Sequence, residues 1–96
     1  MTKFIWDQDK ENENIFKHGI DFETAQLVFD DPNRVLHFDP AHSLVEERFF
    51  CLGKLGQRIL TVRFTYRGSD VRIIGAGYWR KGEKIYEEEK KKRKSR

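Results

Sequence analysis

From Arg34 onward the chain changes its hydrophobic period. Three runs, Glu46 to Gly53, Arg58 to Tyr66 and Val71 to Ala76, alternate apolar and polar residues, with only Lys54-Leu55-Gly56-Gln57 and Arg67-Gly68-Ser69-Asp70 between them. Alternation with period two sends successive side chains to opposite faces of a strand, and so short a glycine-bearing gap permits little but a hairpin. The runs are therefore expected as an antiparallel meander. Val35-Leu36-His37-Phe38, closed by Asp39-Pro40, reads as one more strand ahead of it. A sheet with one apolar face needs helices to cover that face, which sets the class as α+β.

The covering helices are legible upstream. After the short aromatic and β-branched segment Phe4-Ile5-Trp6, Asp7 is a suitable N-cap for a polar helix to about His18. Gly19 supplies the left-handed C-terminal residue, and Lys17 and His18 suit the negative end of the helix. A second helix is expected from Asp21, with Phe22, Ala25, Val28 and Phe29 on one face, ending at Asp30-Asp31-Pro32. Two helices thus precede the sheet. A short final helix begins near Glu83 with Ile85 and Tyr86 as its apolar anchors, and residues 89–96 form a charged tail without structure. A chain of 96 residues is too short for two cores, so residues 1–88 are expected as one domain.

Composition adds exclusions. Eight Phe and two Trp offer an aromatic-rich core within a chain that is only 38% hydrophobic. No run approaches the roughly 18 apolar residues of a membrane span, and the N-terminus lacks a signal-peptide core, so a soluble cytoplasmic protein without membrane partners is expected. Cys51 is the sole cysteine and sits in an apolar run, where a small buried thiol is the usual occupant. The net charge is only +3, yet the chain closes on a basic run that favours polyanions.

Setting the two gaps as four-residue turns pairs Gly53 with Arg58, Arg48 with Arg63, Glu46 with Thr65 and Thr65 with Arg72. One face then collects Phe49, Cys51, Leu60, Val62, Phe64, Val71 and Ile73, which is the core. The other collects Glu46, Arg48, Phe50, Thr61, Arg63, Thr65, Arg72 and Ile74. Like charges in opposed positions destabilise a sheet, so Arg48 against Arg63 calls for an anionic partner or for Glu46 as counterion. Arginines that merely lie flat with their heads in water are the plainer reading. Phe50, Tyr78 and Trp79, with Arg80 and Lys81 just beyond the last strand, add the mixture of aromatic rings and cations that holds single-stranded RNA. His37, Asp39 and His42 are close in sequence, but two share a strand face, the third is in a loop and no cysteine supports them. No metal site or cofactor is expected; His42 is a candidate general acid, and His18 a helix C-terminal cation.

Phe4-Ile5-Trp6-Asp7, Phe16-Lys17-His18-Gly19-Ile20, Phe22-Glu23-Thr24-Ala25, Val28-Phe29-Asp30-Asp31-Pro32, Asp39-Pro40 with His42, Glu46-Glu47-Arg48 and Arg72-Ile73-Ile74 occur in the order and spacing of the BrnT toxins. The chain resembles that family over about residues 4 to 88. The resemblance implies a RelE-like fold, a metal-independent endoribonuclease that arrests translation by cutting RNA, most naturally mRNA, and a BrnA-type antitoxin. DNA would be met only through the toxin–antitoxin complex. The family's functional positions would fall on Lys17, on Glu46 or Glu47, and on Arg63 and Arg72. From the pattern of cations and rings, Arg48, Phe50, Tyr78, Trp79, Arg80 and Lys81 are the expected RNA-binding residues. One departure stands out: many relatives read Ser-Ala-Arg where this chain has Gly75-Ala76-Gly77. Arg80 or Lys81 would have to reach back in place of the missing arginine.

Three classes follow. The chain is a ribonuclease toxin, or a non-catalytic RNA-binding relative, or an interaction subunit whose arginines meet only an acidic antitoxin segment. For the first, Glu46 takes the 2' proton, Arg48, Arg63 and Arg72 hold the phosphate oxygens, and Lys17 or Arg80 steadies the leaving 5' oxygen. Glu47 points to the core face in this register and needs a bulge or a register shift to reach the site.

Overall fold

Asp7 and Gly19 bracket the first helix by the chemistry of their types. In the computed structural model, which describes residues 2–94, Asp7 Oδ1 accepts from the Asp9 and Lys10 amides at 2.8 and 3.2 Å. Gly19 takes φ 69°, open to a residue without Cβ, and donates its N–H to the Ile15 carbonyl at 2.8 Å. This is α1, Gln8–His18. Asp21 caps a much shorter α2, Phe22–Ala25, which tightens into a 3-10 segment over Gln26–Asp30.

The sheet has five strands in the order β1-β5-β4-β3-β2: β1 Phe4–Trp6, β2 Val35–Phe38, β3 Phe49–Leu55, β4 Arg58–Arg67 and β5 Asp70–Gly77. Neighbours from β2 to β5 are antiparallel, whereas β1 lies parallel to β5 with Phe4 opposite Val71. The expectation that two helices precede the sheet is thus corrected by β1. Three residues are too few to display a period, and their partner is far along the chain.

The first hairpin also differs. Its turn is the two residues Gly56-Gln57, with Leu55 opposite Arg58, so Phe50 and not Arg48 faces Arg63. Leu55 packs against the core, which rewards carrying the strand two residues further, and Gly56 takes the left-handed φ of 63° that so tight a turn requires. Glu46 to Arg48, expected in the strand, lie in the loop before it. A shift of two leaves every side chain on its expected face. The second hairpin pairs Thr65 with Arg72, as the spacing requires, and then slips by one, with Phe64 opposite Ile73 but Arg63 opposite Gly75. Ile74 is the extra residue of this bulge.

Both faces of the sheet are partly covered. Phe22, Ala25 and Val28 pack on Cys51, Leu60, Val62, Phe64, Val71 and Ile73. The 3-10 segment comes so near that a Cβ on Gly53 would stand 2.6 Å from the Val28 carbonyl oxygen. On the opposite face α3, Arg80–Lys94, seats the buried Tyr86 among Val35, Leu52 and Ile59. Gly82 leaves room there for the Thr61 hydroxyl. The helix therefore starts three residues before Glu83 and continues through residues 89–94, where a tail without structure is expected; residues 95–96 lie outside the described residues. Tyr86 donates its hydroxyl to Asp31 Oδ2 at 2.7 Å, fastening α3 to the end of the 3-10 segment.

Candidate functional site

One buried amide positions the site. Asn14, on the inner side of α1, donates to the Ile20 and Ala76 carbonyls at 2.9 and 3.0 Å and accepts from the Ala76 N–H at 3.0 Å. The side chain gives β5 a strand-like pair beyond the point where β1 ends opposite Ile73. Glu11, also buried, accepts the Phe22 N–H at 2.9 Å and holds the turn between α1 and α2. With α1 fixed along this edge, helical spacing brings Lys10, Glu13, Lys17 and His18 to face the uncovered end of the sheet.

Three adjoining recesses form one trough there. The first, about 90 Å³, is lined by Lys10, Glu46, Arg48, Arg67, Arg72 and Ile74. The second, about 200 Å³, shares Lys10, Arg48 and Ile74 with it and adds Glu13, Lys17, His18 and Arg63. The third, about 290 Å³, shares His18 and Arg63 with the second and is otherwise walled by Phe50, Thr61, Gly77, Tyr78 and Trp79. The first two hold six Lys and Arg side chains against two carboxylates, Glu13 and Glu46, so the trough carries net positive charge.

Individual side chains are set with care. Gly75 lies under the Arg63 guanidinium: a Cβ there would come 2.6 Å from its Nη2. Bulge and glycine together let Arg63 cross β5. Arg48 Nε is buried without a partner, which favours an incoming acceptor. Glu46 contacts Arg67 at 3.2 Å. Lys17 bonds Glu13 at 2.9 Å, and that hydrogen bond and charge hold the Glu13 carboxyl below the usual carboxylate range.

The candidates read from sequence thus divide. Lys17, Glu46, Arg48, Arg63 and Arg72 line the first two recesses, and Phe50, Tyr78 and Trp79 line the third with Arg63. The expected opposition of Arg48 and Arg63 is absent, because the tighter turn places Phe50 there. Glu47 is exposed, and its carbonyl accepts from Thr65 Oγ1 at 2.6 Å. Arg80 does not line the three recesses; it borders a further one with Arg58, Glu83, Lys84 and Glu87, which shares Tyr78 and Trp79 with the third. Lys81 sits 5.8 Å from the Trp79 ring, and Arg58 stacks on Tyr78 at 3.7 Å. His42 bonds Asp39 at 2.8 Å while His37 stacks on Phe50, so these three do not converge. Among the described residues no group of three or more His, Cys, Asp or Glu side chains is placed to hold a metal ion. Lys10, His18 and Arg67 belong to the trough although sequence alone does not single them out as site residues. A hint lay in the spacing of Lys10, Asn14, Lys17 and His18, which share one side of α1.

Among the described residues no helix is long and apolar enough to cross a membrane. No curated protein matches the chain. A family model described as the ribonuclease toxin BrnT of type II toxin–antitoxin systems matches residues 6–83. That match spans most of the 96 residues and takes in α1, all of the sheet from β2 to β5 and the start of α3. The chain belongs to the BrnT family of ribonuclease toxins from type II toxin–antitoxin systems.

Proposed function

We propose that this BrnT protein is a metal-independent endoribonuclease with the RelE-like mode of action, cutting single-stranded RNA to stop translation until a BrnA-type antitoxin covers the trough. The observation that carries the proposal is the gathering of six cations in two adjoining recesses, Lys10, Arg48, Arg67 and Arg72 beside Glu46 in the first, and Lys17 and Arg63 with Lys10 and Arg48 in the second. RNA brings its own nucleophile, so the protein need supply only a base, an acid and charge stabilisation. In this reading Glu46 accepts the 2'-hydroxyl proton as the 2' oxygen bonds to phosphorus. Arg48, Arg63 and Arg72 hold the non-bridging oxygens through paired N–H donors. The bond to the 5' oxygen breaks, Lys17 or His18 returns a proton to it, and a 2',3'-cyclic phosphate and a 5'-hydroxyl remain.

One arrangement favours the second reading, a relative that binds RNA or antitoxin without cutting. Both Glu46 and Lys17 are ion-paired, to Arg67 and Glu13, and proton transfer requires each to loosen its partner. Purified protein freed of antitoxin separates the two. Cleavage of single-stranded RNA in excess chelator, leaving cyclic phosphate ends, is the expected result. Cleavage that disappears with EDTA and returns with a divalent ion would overturn the metal-free step, and binding without any cleavage would establish the second reading.

A further inference from the structure

The third recess is not needed to hold phosphate, and its walls have a different chemistry. Phe50 and Trp79 form one side, their ring centroids 5.2 Å apart at 41°. Trp79 keeps 38% of its surface exposed, so part of its ring face is open to a ligand. The other side is the His18 imidazole beside Gly77, where a Cβ would stand 3.5 Å from the ring. Gly77 is extended strand with no positive φ, so backbone conformation does not demand glycine. What its bare backbone leaves is space. That space, about 290 Å³, falls just under the range of drug-sized ligand pockets and suits one flat heterocycle.

We propose that this recess is a base-stacking subsite that takes a single unpaired nucleobase of the RNA, with Trp79 as its platform and Gly77 as the residue that keeps it open. The inference rests on the reading of the adjoining groove as a phosphate site. Arg63 and His18 line both recesses, so the stacked base belongs to the nucleotide whose phosphate occupies the groove. An aromatic platform accepts any base by its π face, and the base must be unpaired to reach it. Duplex RNA is thereby excluded by geometry, while sequence preference at the subsite is weak.

The test uses two labelled probes on the full chain: a single-stranded oligonucleotide with 2'-O-methyl groups, which has no nucleophile to be cut, and the abasic chain of equal length. Removing base stacking typically weakens such binding roughly 5-fold or more, so the wild type should prefer the base-bearing probe by at least about that factor. In Gly77→Leu, where a side chain fills the recess, and in Trp79→Leu, the ratio of the two affinities should fall towards one. Melting curves confirm folding, and if one variant fails to fold the other carries the comparison. Equal binding of both probes by the wild type, or a preference that survives in the variants, overturns the subsite and leaves the phosphate groove standing. Failure of the wild type to bind either probe removes the groove reading and the subsite with it.

Discussion

Arg63 gathers several observations into one side chain: it opposes Gly75 across the bulge, lies over that glycine and borders two recesses. Truncating it, or Arg72, removes charge from a solvated face and leaves the apolar core alone. Arg63→Ala and Arg72→Ala should each lower RNA cleavage on the order of 100- to 1000-fold, the usual effect of losing one transition-state donor. Their melting temperatures should stay near wild type, and variants that melt early or cut normally would mark these arginines as structural. Cys51 is the converse case. It is fully buried, and burial pushes its thiol up to about 12, so no nucleophilic thiolate forms near neutrality. Cys51→Ala should keep cleavage and lose about 1 to 2 kcal/mol in denaturant titration. At this scale the strand arginines were legible because alternation alone sorts side chains between faces, whereas Lys10 and His18 were not. Their place depends on Asn14 reaching Ala76, a contact between residues 62 apart that no local pattern announces.

Elements follow the same division. The caps Asp7, Gly19 and Asp21 mark helix ends through short-range chemistry, and the structure places them there. The register of β3 on β4 is not legible in the sequence, because Lys54-Leu55 reads as turn although Leu55 has a core to enter. The length of helix α3 is hidden for a related reason: its charged surface conceals how much Tyr86 and Gly82 do against Leu52, Ile59 and Thr61. The Tyr86–Asp31 bond makes its docking depend on pH. Burial acts most strongly on Asp31 and opposes ionisation, but donors from Lys54, Tyr86 and Asn33 together outweigh it and hold the carboxyl low. A depressed folded pKa stabilises above the unfolded value, and the contribution is lost as pH falls through the folded one. Burial first, and then Asp31, push the Tyr86 phenol up. A raised folded pKa stabilises below the unfolded tyrosine value of about 10 and is lost above it. Thermal melts should therefore decline below about pH 4 and above about pH 10. In Tyr86→Phe the alkaline decline attributable to this residue should vanish, and an unchanged alkaline limb would show that α3 is held in some other way.

Over the whole molecule the net charge of +3 conceals a sharp local excess. Six Lys and Arg side chains meet two carboxylates in the groove, while Glu23, Asp30 and Glu83 lie elsewhere on the surface. If all six engage phosphate, single-stranded RNA affinity should fall with a logarithmic salt slope of roughly −4. A slope near zero would mean that the groove does not meet the backbone. The same arithmetic suits an acidic antitoxin segment, which would compete with RNA and share its sensitivity to salt.

The parallel pairing of Phe4–Trp6 with Val71–Ile73, and the grip of Asn14 on Ala76, also bear on the timing of synthesis. A chain made N-terminus first, at about 5 to 20 residues per second, releases the α1 segment long before β5 exists to receive it. Contacts this distant along the chain form late, because loop closure must precede any gain from them. Lys10, Lys17 and His18 therefore meet Arg63 and Arg72 only once Ala76 has been added and the sheet has closed, so an incomplete chain on the ribosome carries the parts of the proposed RNA site without the groove itself.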